Sequence, residues 1–254
     1  MEGMSMKKEH LVQGLIVGGL LVVYEWAARV GWLDPFTFIP FTEMVKAMVE
    51  SVLDPKFLQE HILPTFLEIV ISFVGAAILG IGIGVLLWRS DFLHYAFQPY
   101  LLLFYAIPFF SIYPIFISLF GTGPLPVILV GTLFSAPAVI TNTAIGFRET
   151  RPVFIKYGRS LNLSFWEMLR YIYFPSAWPY IFSGLKLATA YSIIGVIATE
   201  FILSARGIGY SISYAYNNFD LYNMYGYILL VIVISLVSNL TLGAIEKRLF
   251  RRNA

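Results

Sequence analysis

As a pattern of apolar and polar positions, the chain resolves into six long apolar stretches: 11–30, 65–88, 95–120, 125–147, 180–203 and 222–249. Each is close to or beyond the roughly 20 residues a helix needs to cross the hydrocarbon of a bilayer. The turn Gly121-Thr122-Gly123-Pro124 divides the third from the fourth, which would otherwise form one continuous run. Lys7 and Lys8 ahead of the first stretch resemble the start of a secretory leader. The apolar run continues to Val30 without a small-residue cleavage site, so it reads as an uncleaved first membrane helix.

Two joints are too long to be plain turns. In the outer one, 31–64, Phe41, Met44, Val45, Met48, Val49, Val52 and Leu53 recur at three- and four-residue spacing between Pro40 and Pro55. They predict a short amphipathic helix, lying in the outer interface or packed on the outer end of the bundle. In the inner joint, 148–179, Pro152 opens a first helix running to about Leu161, and Asn162 suits the left-handed residue that ends it. Ser164 and Glu167 form an S-x-x-E capping box, with Leu163 and Met168 as the staple, for a second helix from Phe165 to about Phe174. Pro175 and Pro179 are expected to end it before span five. The prediction is a stiff helix–turn–helix elbow between spans four and five.

Composition identifies the solvent for these stretches. Of 254 residues, 58% are hydrophobic and 13% charged, and the mean hydropathy is +0.76; a soluble domain carries about a quarter charged residues. The fold class is therefore all-α integral membrane protein, one transmembrane domain spanning 1–254 with six helices. The net charge of +2 points to no nucleic-acid partner, and the absence of cysteine excludes disulfides and thiolate metal sites. The placement of the basic residues orients the bundle. With the N-terminus inside, the cytoplasmic side holds Lys7, Lys8, Arg89, Arg148, Arg151, Lys156, Arg159, Arg170, Lys247, Arg248, Arg251 and Arg252. The outside holds only Arg29, Lys46, Lys56 and Arg206, while Lys186 can snorkel to the inner interface. Both termini are expected in the cytoplasm.

Within the spans, Ser72, Ala76, Gly80 and Gly84 share one face of span two and invite close approach of another helix, inside the chain or across a dimer. Pro108 and Pro114 interrupt span three, and Pro126 and Pro137 span four, either to open a solute path or only to shape the helices. The ionisable groups are Glu25, Glu68, Lys186 and Glu200, each near a helix end and without an evident basic partner in the membrane. Candidates for the pathway or gate are Tyr105, Pro108, Phe109, Pro137, Asn142 and Glu200. The aromatic residues of span three serve equally as a path for a planar solute or as lipid-facing bulk. No G-x-x-x-x-G-K-[ST] and no H-E-x-x-H is present, and His10, His61 and His94 are scattered, so no catalytic, cofactor or metal site is expected on this chain.

The elbow carries a resemblance. Lys156-Tyr157-Gly158-Arg159-Ser160-Leu161-Asn162-Leu163-Ser164-Phe165-Trp166-Glu167-Met168-Leu169-Arg170, with Phe174-Pro175 and Trp178-Pro179, resembles the cytoplasmic EAA loop of binding-protein-dependent ABC transporter permeases, in the subgroup importing nitrate, taurine and aliphatic sulfonates. The likeness continues through Ala106-Ile107-Pro108, Thr199-Glu200-Phe201, Gly207-Ile208-Gly209-Tyr210 and Glu246-Lys247-Arg248. It departs where the family has Glu-Ala-Ala and this chain has Lys156-Tyr157-Gly158, where the family glycine is Asn162, and where an early arginine of span two is Glu68.

The resemblance implies a division of labour. Two permease chains, here expected to be identical, form the pathway in a prokaryotic inner membrane. Two cytoplasmic ATPase subunits hold the ATP and magnesium, and an extracytoplasmic binding protein delivers a small solute, such as a sulfonate, taurine, nitrate or a related small organic molecule. It places ATPase coupling on Gly158, Arg159, Ser160, Leu161, Asn162, Ser164, Trp166, Glu167, Leu169, Arg170 and Pro175, with Trp166 and Leu169 as apolar anchors. The competing readings are a self-contained secondary transporter, which calls for inverted repeats and a buried coupling charge, an intramembrane enzyme, and a non-transporting scaffold.

Overall fold

The computed structural model describes residues 2–106 and 109–250. Every regular element among them is helical. In chain order these are α1 (Glu2–Val30), α2 (Phe41–Leu53), α3 (Leu63–Arg89), α4 (Asp91–Ala106), α5 (Tyr113–Phe120), α6 (Pro124–Arg148), α7 (Pro152–Ser160), α8 (Phe165–Met168), α9 (Phe174–Leu203), α10 (Ile208–Asn217) and α11 (Leu221–Phe250). Four helical segments among the described residues are long and apolar enough to cross a membrane: Pro55–Arg89, Pro124–Arg148, Phe165–Leu203 and Leu221–Leu249. They contain the second, fourth, fifth and sixth predicted spans. The first predicted span lies within α1. The third is divided into α4, a 3-10 turn at Phe109–Ile112, and α5. Pro114 sits in the first turn of α5, where its missing N–H has no partner to lose, so it begins a helix rather than bending one. The same reason corrects the expectation for Pro126: it lies in the first turn of α6 and interrupts nothing, whereas Pro137 is inside that helix.

The contacts group the chain into two compact units, 1–59 with 211–232, and 60–210 with 233–254. In the first, α1 ends at Gly31, whose φ of +80° is a conformation open to glycine. α2 begins after Pro40 with no capping side chain of its own. Glu25 supplies the cap from α1, accepting the Thr42 N–H at 3.1 Å and the Thr42 hydroxyl at 2.9 Å while pairing with Arg29. The buried face of α2 differs from the apolar stripe read from sequence. Ala47 and Ser51 turn inward, with Ala47 against Gly226, while Val52 and Leu53 stay exposed. Small side chains win the inner face because only they allow this backbone approach.

In the second unit α6 is central: 61% of its most apolar window is buried, against 28% for Pro55–Arg89 and 44% for Phe165–Leu203. The cause is legible residue by residue. Ser72, Ala76, Gly80 and Gly84 of α3 are all buried. A Cβ on Gly80 would overlap Val139, and one on Gly84 would overlap Thr143. Ser72 donates to the Ile128 carbonyl at 3.2 Å, and Thr132 returns a bond to the Ser72 carbonyl at 3.4 Å. On the other side of α6, a Cβ on Gly184 of α9 would crowd the Ala138 carbonyl, and one on Gly195 would stand 3.0 Å from the Cα of Gly131. The small-residue stripe is thus used inside the chain. Apolar side chains cover the outside: Ile78, Leu86 and Leu240 are each more than half exposed, the surface expected where lipid is the solvent.

Replacing Gly84 by leucine is expected to cost about 1–3 kcal/mol through overpacking against Thr143, read as a lower unfolding temperature of the detergent-solubilised protein. Gly82→Leu, at a position with open space, serves as the control and should leave that temperature unchanged.

Candidate functional site

The elbow is built by local chemistry. α7 starts with Pro152 at its first position and stops at Asn162, whose φ of +53° is left-handed. The Asn162 N–H bonds back to the Arg159 carbonyl at 3.0 Å and the Leu163 N–H to Gly158 at 3.2 Å, closing the helix end. The capping box then forms: the Glu167 N–H reaches the Ser164 hydroxyl at 3.4 Å, and the Ser164 N–H donates to Glu167 at 2.8 Å. The Ser164 hydroxyl and N–H hold the Glu167 carboxyl below the usual carboxylate range. Gly158 is buried where the two arms cross; a Cβ there would overlap Ile172 and Met168.

The second arm does not end at Pro175, where its composition predicts a stop. It runs through a π-turn at Leu169–Tyr173 directly into α9, one helical segment from Phe165 to Leu203. Pro175 falls in the first turn of α9, where the Phe174 N–H bonds five residues back to Leu169. The widened turn accommodates the proline, which has no N–H to give and whose ring would clash in a regular α-turn. Pro179 is carried inside α9.

The predicted coupling residues divide by exposure. Trp166 is 74% exposed, and Leu161, Arg159, Ser160 and Asn162 are also exposed. Leu169 packs inward against Phe147, Ala177 and Ile181. Of the two anchors expected, Trp166 is offered outward, while Leu169, three residues on and turned to the neighbouring face of the helix, packs against the core. Arg170 lies over the Tyr171 ring at 5.7 Å. An apolar cavity of about 530 Å³ opens between Phe154, Tyr157, Leu161, Tyr171 and Pro175.

Among the described residues, the pathway candidates Pro137, Asn142 and Glu200 do not converge. Pro108 lies outside the described residues, as do the side chains of Tyr105 and Phe109. Pro137 is buried in α6, and Asn142 donates to its own helix at Ala138, 2.8 Å, beside Gly184. Glu200 sits near the far end of α9 and is 1% exposed. Its Oε1 accepts from the Thr65 hydroxyl at 2.7 Å and its Oε2 from the Gly209 N–H at 2.8 Å, while Thr65 accepts the Ile208 N–H at 2.8 Å. Glu200 and Thr65 therefore cap the N-terminus of α10 from two other helices. This accounts for Gly207-Ile208-Gly209: Gly207 turns at a φ of +100°, and neither glycine has room for a Cβ beside Glu200. Glu68, 4% exposed, finds the basic partner not evident in the sequence: Arg206, 3.7 Å away in the turn before α10. Thr65 carried no signal in sequence, since an isolated hydroxyl at a span boundary is ordinary. A cavity of about 370 Å³ lies beside this cluster, lined by Tyr113, Thr122, Pro124, Ser204 and Arg206.

Comparison with known proteins agrees with this architecture. The family model described as "Binding-protein-dependent transport system inner membrane component" matches residues 60–253. A probable ABC transporter permease protein of Haemophilus influenzae is 28% identical over 231 residues, 91% of this chain and 93% of that protein. The nitrate import permease protein NrtB of Synechocystis is 28% identical over 158 residues, 62% of this chain and 58% of that protein. Among solved structures, a chain of the MetNI methionine ABC transporter in inward-facing form superposes with a TM-score of 0.65 at 17% identity, covering 81% of this chain and 97% of that one; at that identity the likeness is one of fold.

Two outcomes follow from the geometry. Glu200→Ala removes the buried acceptor of the Gly209 N–H at a cost of about 2 kcal/mol, so amide exchange at the start of α10 should quicken about thirtyfold, with Glu200→Gln close to wild type. Ser164→Ala should loosen α8 by about 1 kcal/mol. Because the Glu167 carboxyl is held low, its half of the box is in place above the ordinary glutamate range and is lost only as pH falls below it. Exchange protection at the start of α8 should therefore be flat from pH 8 to 5 and drop below about pH 4.

Proposed function

We propose from a fixed premise: the chain belongs to the family of inner membrane components of binding-protein-dependent transport systems. It is the permease subunit of an ABC importer for small solutes, a multi-pass membrane protein in a family of transporters rather than enzymes. Beyond that, our reading is that two copies of the chain form one pathway, with both termini in the cytoplasm. The elbow takes work from a separate ATPase pair that holds ATP and magnesium. The observation that carries this reading is the construction of the elbow: a left-handed stop at Asn162, a capping box at Ser164 and Glu167, a crossing at Gly158 and an outward Trp166. A loop with no mechanical task has no use for rigidity at each of its corners.

Alternating access follows by population shift. ATP-driven closure of the ATPase pair favours one position of the elbow, and the helices continuous with it rock between inward- and outward-open states. The solute is proposed to be a small oxyanion or sulfonate-bearing molecule such as nitrate, taurine or an aliphatic sulfonate, delivered by an extracytoplasmic binding protein. The relation to a nitrate import permease supports this class.

The test is reconstitution of the chain with its ATPase and binding protein in proteoliposomes, followed by uptake of labelled nitrate and taurine. ATP should drive uptake, an ATPase disabled in hydrolysis should abolish it, and an ion gradient alone should not replace ATP. Trp166→Ala should lower uptake at least tenfold with the chain still inserted; unchanged uptake would remove the elbow from the coupling path.

A further inference from the structure

We propose that Trp88 locks the elbow to the inner ends of α3 and α6, so that force applied to the elbow displaces both helices instead of bending the elbow. This rests on the elbow being the element that receives work from the ATPase; the identity of the brace is the new part.

The weak point of the lever is the π-turn Leu169–Tyr173, which joins the elbow's second arm to α9. A π-turn has a poorer hydrogen-bond register than the α-helix on either side, and kinks concentrate at such places. A push on α8 would be absorbed there unless the turn is braced from outside. The brace comes from consecutive residues at the end of α3. The Trp88 indole lies 4.6 Å from the Tyr173 ring, within the π-turn, and 4.9 Å from the Phe147 ring, at the end of α6. Phe147 is 1% exposed, so its ring has nowhere to retreat. Next in the chain, the Arg89 guanidinium sits 5.0 Å from the centroid of Phe165, the first residue of α8. The end of α3 thus meets the elbow at Phe165, before its compliant turn, and at Tyr173, the last residue of that turn. Aromatic contacts at these centroid separations are geometrically specific, and the indole reaches both the turn and α6. Trp88 is a positioning residue; it acts through Tyr173 and Phe147 and is assigned no contact with the solute.

The experiment uses the whole transporter. Because the chain contains no cysteine, single cysteines at Ser160 in the elbow and Thr122 at the opposite end of α6 accept spin labels uniquely, with labelled chains diluted by unlabelled ones. In wild type, the distance between the labels within one chain should be the same without nucleotide and after trapping with ATP and vanadate, as for a rigid lever. In Trp88→Ala that distance should change on trapping. ATP hydrolysis should stay within twofold of wild type, and uptake of nitrate or taurine, whichever the wild type carries, should fall at least tenfold. Trp88→Phe should recover at least half of the uptake. Wild-type uptake per ATP in Trp88→Ala, with an unchanged trapped distance, overturns the proposal. If the alanine variant does not assemble with the ATPase, Trp88→Leu decides in the same assays, and loss of assembly in both also overturns it, since the residue would then hold the fold rather than the coupling. Failure of the underlying reading is separable: Trp166→Ala would then carry solute normally whatever Trp88 does.

Discussion

Close approach of three helix backbones underlies the rest of the second unit. α3 and α9 touch α6 through glycine, alanine, serine and threonine, at positions where a Cβ or larger side chain would collide. In lipid there is no hydrophobic gain from pressing two apolar helices together, so contact must come from close packing and from hydrogen bonds between helices. The reciprocal bonds between Ser72 and Thr132 and their partner backbones show both at one crossing. Such an interface does not deform gradually; it holds or it separates.

From this rigid centre the two ends of the unit take different chemistry. At one end polar groups are abundant and buried, and they are paired across elements: Glu200 and Thr65 with the start of α10, Glu68 with Arg206. Buried carboxylates without partners would be costly, and here their hydrogen bonds pin the Ser204–Gly209 turn onto the bundle. At the other end the joint is aromatic. Trp88, Phe147, Tyr173 and Phe174 hold the elbow by ring contacts, which resist shear without occupying backbone groups. Polar pins fix one end of the unit, and aromatic contacts fasten the elbow at the other.

Much of this was legible in the chain itself. The helical class follows from apolar runs of membrane length, and the corners of the elbow from Pro152, Asn162, Ser164 and Glu167, because caps and turns are local chemistry. The errors also share a cause. By composition Pro175 and Pro126 predict breaks, but both fall in the first turn of a helix, and a proline's effect depends on which N–H its position would have used. The inward face of α2 was read from hydrophobicity, whereas Ala47 and Ser51 win it by size. Leu169, expected with Trp166 as an apolar anchor, packs instead against Phe147, Ala177 and Ile181, a long-range contact that no local motif signals.

By itself, then, the sequence determined which segments are helices in an apolar solvent and where the elbow starts and turns, since these depend on neighbours within a few residues. The tertiary structure alone decided which partners those helices have. Thr65 meets Glu200 across 135 positions and Arg206 meets Glu68 across 138, and Trp88 reaches Tyr173 only once α3 and α9 lie together against α6. Contacts at such separations leave no periodicity in the chain, because their geometry exists only after the helices have packed.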